Sequence, residues 1–265
     1  MVHRLILFFA LLIFAQFSPA SVSALEGRFQ ADGMDLVLKL SDGRVLRGQT
    51  LTGMRLFLGT GADEREIRID DIALETRLRG LPLTFYRMSV KDRETGAFKE
   101  LCQVDPDGER AAIAYPNGAD DFSLTCTSGA EGKCILFGYF PWQTQDGIPM
   151  RDLHRACVHM LRADYTGDDR PTAKNGTKIN IIDRFGIQNP GHVSWMEFEA
   201  AWGTEGAICV AHPRIADNIT LDELADRAPR LKGRLGPHKC YEEAVRDDPR
   251  ALIYNESVLT WRTKR

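Results

Sequence analysis

From Leu25 to about Asn117, apolar residues recur at every second position over short runs broken by turn formers, the period of strands with one buried face. Leu36-Val37-Leu38-Lys39-Leu40, then Ser41-Asp42-Gly43, then Arg44-Val45-Leu46 predicts a hairpin with glycine at positive φ. Further runs at 54–59, 66–73, 83–90 and 98–103 predict strands. No helical period intervenes, so residues 25–118 are expected to form an all-β unit, a compact sandwich or barrel-like body.

The pattern changes after Pro116-Asn117-Gly118. Apolar runs at 122–126 and 134–140 predict two more strands, and a helix is predicted from near Pro149. Within 151–163, Leu153, Cys157, Met160 and Leu161 recur at helical spacing and make one apolar stripe. Strands are predicted at 178–183, 194–202 and 206–212, the last two joined by Thr204-Glu205-Gly206. Thr220-Leu221-Asp222-Glu223 has the capping-box form and starts a helix that stops before Pro229. A short helix around 237–247 is expected to carry Cys240. The fold class expected is β-rich α+β: an N-terminal all-β unit at 25–118, then a disulfide-stabilised α+β part at 119–265 with one main amphipathic helix.

Ahead of both parts, residues 1–24 have the build of a signal peptide: His3 and Arg4, an apolar run Leu5–Phe14, and Val22-Ser23-Ala24 before Leu25. A spanning anchor needs about 20 predominantly apolar residues, and Gln16, Ser18 and Pro19 cut this run short. No later stretch reaches spanning length, so no transmembrane segment is expected once the leader is removed. All six cysteines, Cys102, Cys126, Cys134, Cys157, Cys209 and Cys240, follow the leader, as expected of a periplasmic or extracellular protein with disulfides. Six cysteines allow 15 pairings. Cys126 and Cys134 flank the turn-forming stretch 127–132 and are expected to pair, while the partners of the other four stay open.

Loss of Arg4 with the leader leaves 33 Lys and Arg against 37 Asp and Glu. That acidic excess argues against nucleic acid as a partner. No cofactor motif is present and none is expected. The acidic residues Asp164, Asp183, Glu197 and Glu199 are the candidates for acid–base work, because paired carboxylates can run hydrolysis. Glu197 and Glu199 alternate with Met196 and Phe198, which is also the pattern of a half-solvated strand. Asp164, Asp168 and Asp169, with Asn175 and Asp183 nearby, offer oxygen ligands for calcium, but not at EF-hand spacing, so no metal is expected and helix termination with a solvated turn is the account preferred. His154 and Cys157 are three apart on the helix, the spacing of a thiol dyad, which a disulfide at Cys157 would remove. Trp142, Tyr165, Trp195 and Trp202 are candidates for a ligand platform, although such aromatics more often fill cores.

A resemblance runs through Phe122–Cys134, Gly138-Tyr139-Phe140-Pro141-Trp142, His154-Arg155-Ala156-Cys157, Leu161-Arg162-Ala163-Asp164-Tyr165, Ile182–Ile187, Phe198–Gly203 and Ile208-Cys209-Val210. Together these segments resemble the ADYC-domain family of exported bacterial proteins of unknown function. The resemblance supplies no catalytic residue. Where the family has its named cysteine, this chain has Thr166; either that bridge is absent, or one of the six cysteines lacks a partner. The expectation is an exported binding or structural module of the cell envelope or extracellular space, taking an envelope or extracellular ligand. The alternative is an extracytoplasmic hydrolase acting on glycan or peptide through acidic residues.

The leader generates one prediction: the exported chain begins at Leu25. Edman sequencing or intact mass of exported protein checks it, and a membrane-bound product retaining residues 1–24 would refute it.

Overall fold

The computed structural model of the protein describes residues 27–78, 81–119 and 121–260, so the leader expected at 1–24 lies outside the described residues. Three strands open the fold: β1 (Gly27–Asp32), β2 (Asp35–Leu40) and β3 (Val45–Arg47), antiparallel in the order β1-β2-β3. The β2–β3 hairpin turns through Ser41-Asp42-Gly43, with Gly43 at φ 87°. A second sheet contains β4 (Arg55–Leu58), β5 (Arg65–Leu78), β6 (Leu81–Lys91), β7 (Phe98–Glu100), β8 (Ala112–Pro116) and β9 (Phe122–Cys126). Its order is β4-β5-β6-β8-β9, with β7 on one end of β6. Leu36 and Leu38 of β2 share a core with Leu56, Ile67, Ile69 and Met88. Across that core the Leu36 amide donates to the Tyr86 hydroxyl at 2.6 Å. Both sheets stay open, so the unit does not close into a barrel.

The second part begins with α1 (Ala130–Leu136), the short pair β10 (Thr144–Gln145) and β11 (Ile148–Pro149), and α2 (Met150–Arg162). There follow β12 (Ile179–Asp183), β13 (Glu197–Gly203), β14 (Gly206–Val210), α3 (Leu221–Arg227), α4 (Glu242–Val245) and β15 (Ile253–Ser257). The last sheet has the order β12-β15-β13-β14, antiparallel throughout. On α2 the stripe Leu153, Cys157 and Met160 is wholly buried against Ala200, Trp202 and Ile253. Each such large side chain contributes about 1.5–3 kcal/mol by leaving water. The capping box forms at α3, where Thr220 Oγ1 accepts from the Glu223 amide at 3.2 Å and Glu223 Oε2 accepts from the Thr220 amide at 2.7 Å.

Several sequence expectations change. The run 134–140 is not a strand: the chain turns at Thr127–Gly129 and enters α1, burying Cys134 and Ile135. Gly132 permits this, because a Cβ there would lie 2.2 Å from the Cys126 carbonyl oxygen. The helix expected around 237–247 shrinks to α4, and Cys240 precedes it, held in a turn by its amide bonding to the Gly236 carbonyl. The sheet of the N-terminal part runs past the change in pattern at Asn117 to take in β9. Its residues Leu83 and Ile113 cluster with Ile135 and Phe140 of the following part.

The disulfides are Cys102–Cys126, Cys134–Cys157 and Cys209–Cys240. The Cys126–Cys134 pairing expected from the intervening turn is therefore wrong. Residues 127–132 do not close a hairpin; they start a helix whose buried face turns Cys134 toward α2, while Cys126 at the end of β9 meets Cys102. No cysteine is free among the described residues, so Thr166 leaves no thiol behind.

The Cys134–Cys157 bridge fastens the two main helices across a sequence separation of 23 residues. In the chain-entropy model a loop of that size is worth about 3 kcal/mol. Cys134→Ala with Cys157→Ala is expected to lose about that much in urea unfolding. Peptide mapping without reduction is expected to give the three pairs above; a peptide joining Cys126 to Cys134 would contradict the fold.

Candidate functional site

The Ala163-Asp164-Tyr165 segment ends α2. Ala163 takes the left-handed conformation, φ 47°, which closes the helix. Asp164, fully buried, then ties the turn: Oδ1 accepts from the Gly167 amide at 3.0 Å, and Oδ2 accepts from the Asp169 amide at 3.1 Å and lies 3.1 Å from His159 Nδ1. Burial pushes this carboxyl up, but the hydrogen bond and charge of His159 and the two amides outweigh it and hold it below its ordinary value. Gly167, at φ 70°, lets the 204–206 hairpin close on the turn, since a Cβ would meet the Glu205 carbonyl oxygen at 2.3 Å.

Tyr165 enters a buried polar network. Its hydroxyl donates to Glu199 Oε1 at 2.9 Å and accepts from the Arg214 amide at 2.7 Å. Arg214 forks onto Glu199 through Nε at 2.9 Å and an amino nitrogen at 3.0 Å, and donates to the Met160 carbonyl at 2.9 Å and the Leu161 carbonyl at 3.2 Å. Asn255 donates to Glu199 Oε2 and accepts from the Trp202 indole, both at 2.7 Å. Burial pushes Glu199 up, and the Arg214 guanidinium more than reverses that, leaving it below the ordinary carboxylate range. The Tyr165 phenol is raised well above its usual value by burial and by Glu199.

The other residues singled out from sequence lie apart. Asp183 is buried and holds the 184–188 loop, accepting from the Phe185 amide at 2.7 Å, the Ile187 amide at 3.1 Å, the Gln188 amide, and the Tyr139 hydroxyl at 3.0 Å. Glu197 is exposed at the start of β13. Asp164, Asp183, Glu197 and Glu199 therefore do not converge on one cavity. Asp168 accepts from Thr166 and pairs with Arg227 at 3.3 Å, and Asp169 pairs with Arg162 at 3.1 Å. Among the described residues no group of three or more His, Cys, Asp or Glu is disposed to hold a metal ion. The aromatic candidates do not form one platform: Tyr165 stacks on Trp202 inside the core at 5.0 Å, Trp142 packs on Phe140 and Tyr115, and Trp195 is exposed. The His154 ring contacts the Glu131 carbonyl at 3.0 Å, and Cys157 is bridged, so no thiol dyad forms.

The concave site is elsewhere. A cleft of about 1020 Å³ lies between the N-terminal sheet, contributing Phe85, Thr125 and the 105–109 loop, and a wall of α1, α2 and the segment 171–179. Its apolar lining includes Leu136, Phe137, Val158 and Ile179; Asp107, Glu109 and Glu131 supply acidic groups, and Lys133, Arg162, Lys174 and the edge of the buried Arg214 basic ones. Asp105 shapes the loop by accepting from the Asp107 and Glu109 amides, each at 2.9 Å. None of the carboxylates singled out from sequence lines this cleft. Apart from Asn175, considered above only as a calcium ligand, its residues carry no signal in the sequence, because they sit singly on loops and helix faces and share no spacing. Arg214 escaped too; the nearest signal was the need for a cation beside a buried Glu199.

A family model described as the ADYC domain matches residues 48–216, well over half of the chain. No curated protein matches, and no solved structure does. The matched stretch contains the Asp164 turn, Glu199 and Arg214 but ends before β15.

Glu199→Gln is expected to cost about 3–5 kcal/mol, because Arg214 would stay buried without its counter-charge. Urea unfolding measures it. Glu199 and Asp164 are both held below their ordinary values, 4.5 and 3.8. The unfolded chain therefore takes up protons first, so their stabilisation is complete above those values and is lost as pH falls through the native ones. Urea midpoints taken from about pH 6 down to about pH 2 are expected to fall, and to fall less steeply in Glu199→Gln.

Proposed function

We propose that this chain, which belongs to the ADYC-domain family, is an exported, disulfide-stabilised, non-catalytic binding module of the cell envelope or extracellular space that holds its ligand in the cleft. The observation that carries this reading is the cleft itself. At about 1020 Å³ it is at the upper end of ordinary ligand sites, with an apolar lining and charged groups of both signs. Asp164, Asp183 and Glu199 meanwhile serve the fold. Export is supported by the three disulfides and by the leader composition. Among the described residues no helix is long and apolar enough to cross a membrane.

A second reading, an extracytoplasmic hydrolase of glycan or peptide, draws support from the carboxylates of Asp107, Glu109 and Glu131 at the cleft. Calorimetric titration of the mature protein with peptidoglycan fragments and with envelope-derived peptides tests the first. Ser128 lines the cleft, and Ser128→Trp is expected to weaken binding at least tenfold with an unchanged melting temperature. Undiminished binding would place the site elsewhere. Turnover of fluorogenic glycosides or peptides that disappears in Glu131→Gln would favour the hydrolase.

A further inference from the structure

We infer that the cleft takes an extended peptide, bound by strand addition to the free edge of β12; the inference rests on the cleft being the binding site. β12 is an outer strand of its sheet, paired with β15 on one side only. The Asp183 amide points away from β15, since it donates to the Gln188 carbonyl at 2.9 Å. Backbone groups alternate along a strand, so Ile181 and Ile179 present N–H and C=O on that same outer side. At the near end the Thr177 amide is taken by the Lys174 carbonyl at 3.2 Å. Between these two closed ends, the outward groups of Ile179 and Ile181 make no backbone hydrogen bond to the turns and loops among the described residues.

That free edge opens onto the cleft at Ile179, the one β12 residue in its lining, while Ile181 lies in the core beside it. Gln188, which covers the far end, donates from its side chain to the Phe137 carbonyl at 2.8 Å, and Phe137 and Ile179 both line the cleft. Ile181 is only 9 % exposed, so its outward backbone is largely withdrawn from water, where an unmade hydrogen bond is costly. Donor and acceptor groups alternating at strand spacing are matched by another extended backbone, which is the chemistry of strand addition. Side chains at every second position of such a peptide would reach the apolar lining at Leu136, Phe137 and Val158. Lys174, at the cleft, and the exposed Lys178 beside the entry to the edge favour an acidic residue at that end.

The test selects displayed random heptapeptides on the mature protein and measures the selected peptides by calorimetry with an N-methyl scan. Methylation of alternate amides is expected to weaken binding at least tenfold, and methylation of the intervening ones to change it little. Ile179→Ala, which trims a side chain that packs on the core and lines the cleft but keeps the amide, is the control for Ile179→Pro, which also removes the outward donor; the residue 179 amide does not bond β15, and proline is tolerated at such edge positions. The proline variant is expected to keep its three disulfides and melting temperature and to lose at least tenfold in peptide affinity relative to Ile179→Ala. Should it fail to fold, the N-methyl scan on the unmodified protein decides alone. Peptides that bind and are lost in Ser128→Trp, yet tolerate methylation at every amide, would overturn edge pairing while leaving the cleft as the binding site. Failure to select any peptide, with peptidoglycan fragments still bound and lost in Ser128→Trp, would overturn the peptide class alone. If nothing bound is sensitive to Ser128→Trp, both readings fall.

Discussion

The structure turns on one buried ion pair. Taking Glu199 and Arg214 out of water costs several kcal/mol per charge, a cost offset only when geometry is good and the other hydrogen-bonding groups are met. Here the fork is bidentate, Tyr165 and Asn255 fill further positions on the carboxylate, and Arg214 spends its other donors on the Met160 and Leu161 carbonyls at the end of α2. Those carbonyls are among the four that any helix leaves unsatisfied at its C-terminus. The pair thus joins the end of the main helix to β13, β15 and the segment after β14. The place of α2 against the sheet depends on it. Since Val158, Leu161 and Arg162 of α2 line the cleft, so does the shape of the cleft.

Two of the three disulfides act on the same cavity. Cys102–Cys126 ties the end of β9, next to Thr125 and Thr127, to the segment leading into the 105–109 loop. Cys134–Cys157 ties α1 to α2, both of which contribute lining residues. The third bridge, Cys209–Cys240, lies in a separate cluster with Val245 and Tyr254. Cross-links that restrain both walls reduce the ordering required when a ligand enters, and preorganisation of that kind favours affinity without added contacts.

Much of the fold was legible in the residues because local signals agreed with the tertiary outcome. The β2–β3 turn, the α2 stripe and the α3 capping box each carry their own geometry. The failures share a cause. α1 was read as a strand because Cys134–Phe140 is a nearly continuous apolar run, which does not separate a strand from a buried helix; the deciding fact, the contact of Gly132 with the Cys126 carbonyl, is tertiary. β15 was missed although it is central to its sheet, because Ile253-Tyr254-Asn255-Glu256-Ser257 shows no alternation. All five residues are buried, and Asn255 and Glu256 are buried as partners in polar networks. The residues suggest Tyr165 as a ligand contact and Glu199 as an acid–base group, but not the network that joins them, because their shared partner Arg214 lies 15 residues beyond Glu199 in a segment with no periodic signal.

Charge at the cleft and charge in the core do different work. Rim groups such as Lys174 and Asp107 are exposed, and exposed pairs are worth about 0–1 kcal/mol each and are screened by salt. They can set the direction of an approaching ligand more readily than they can hold it. Firm binding in such a cavity has to draw on its apolar lining and on backbone groups such as those of Ile179 at its wall. A peptide reading also accounts for why the carboxylates most visible in the sequence are absent from the cleft: recognition through backbone and shape requires no acid–base pair, and leaves Asp164, Asp183 and Glu199 free to hold the turns and layers that bound the cavity.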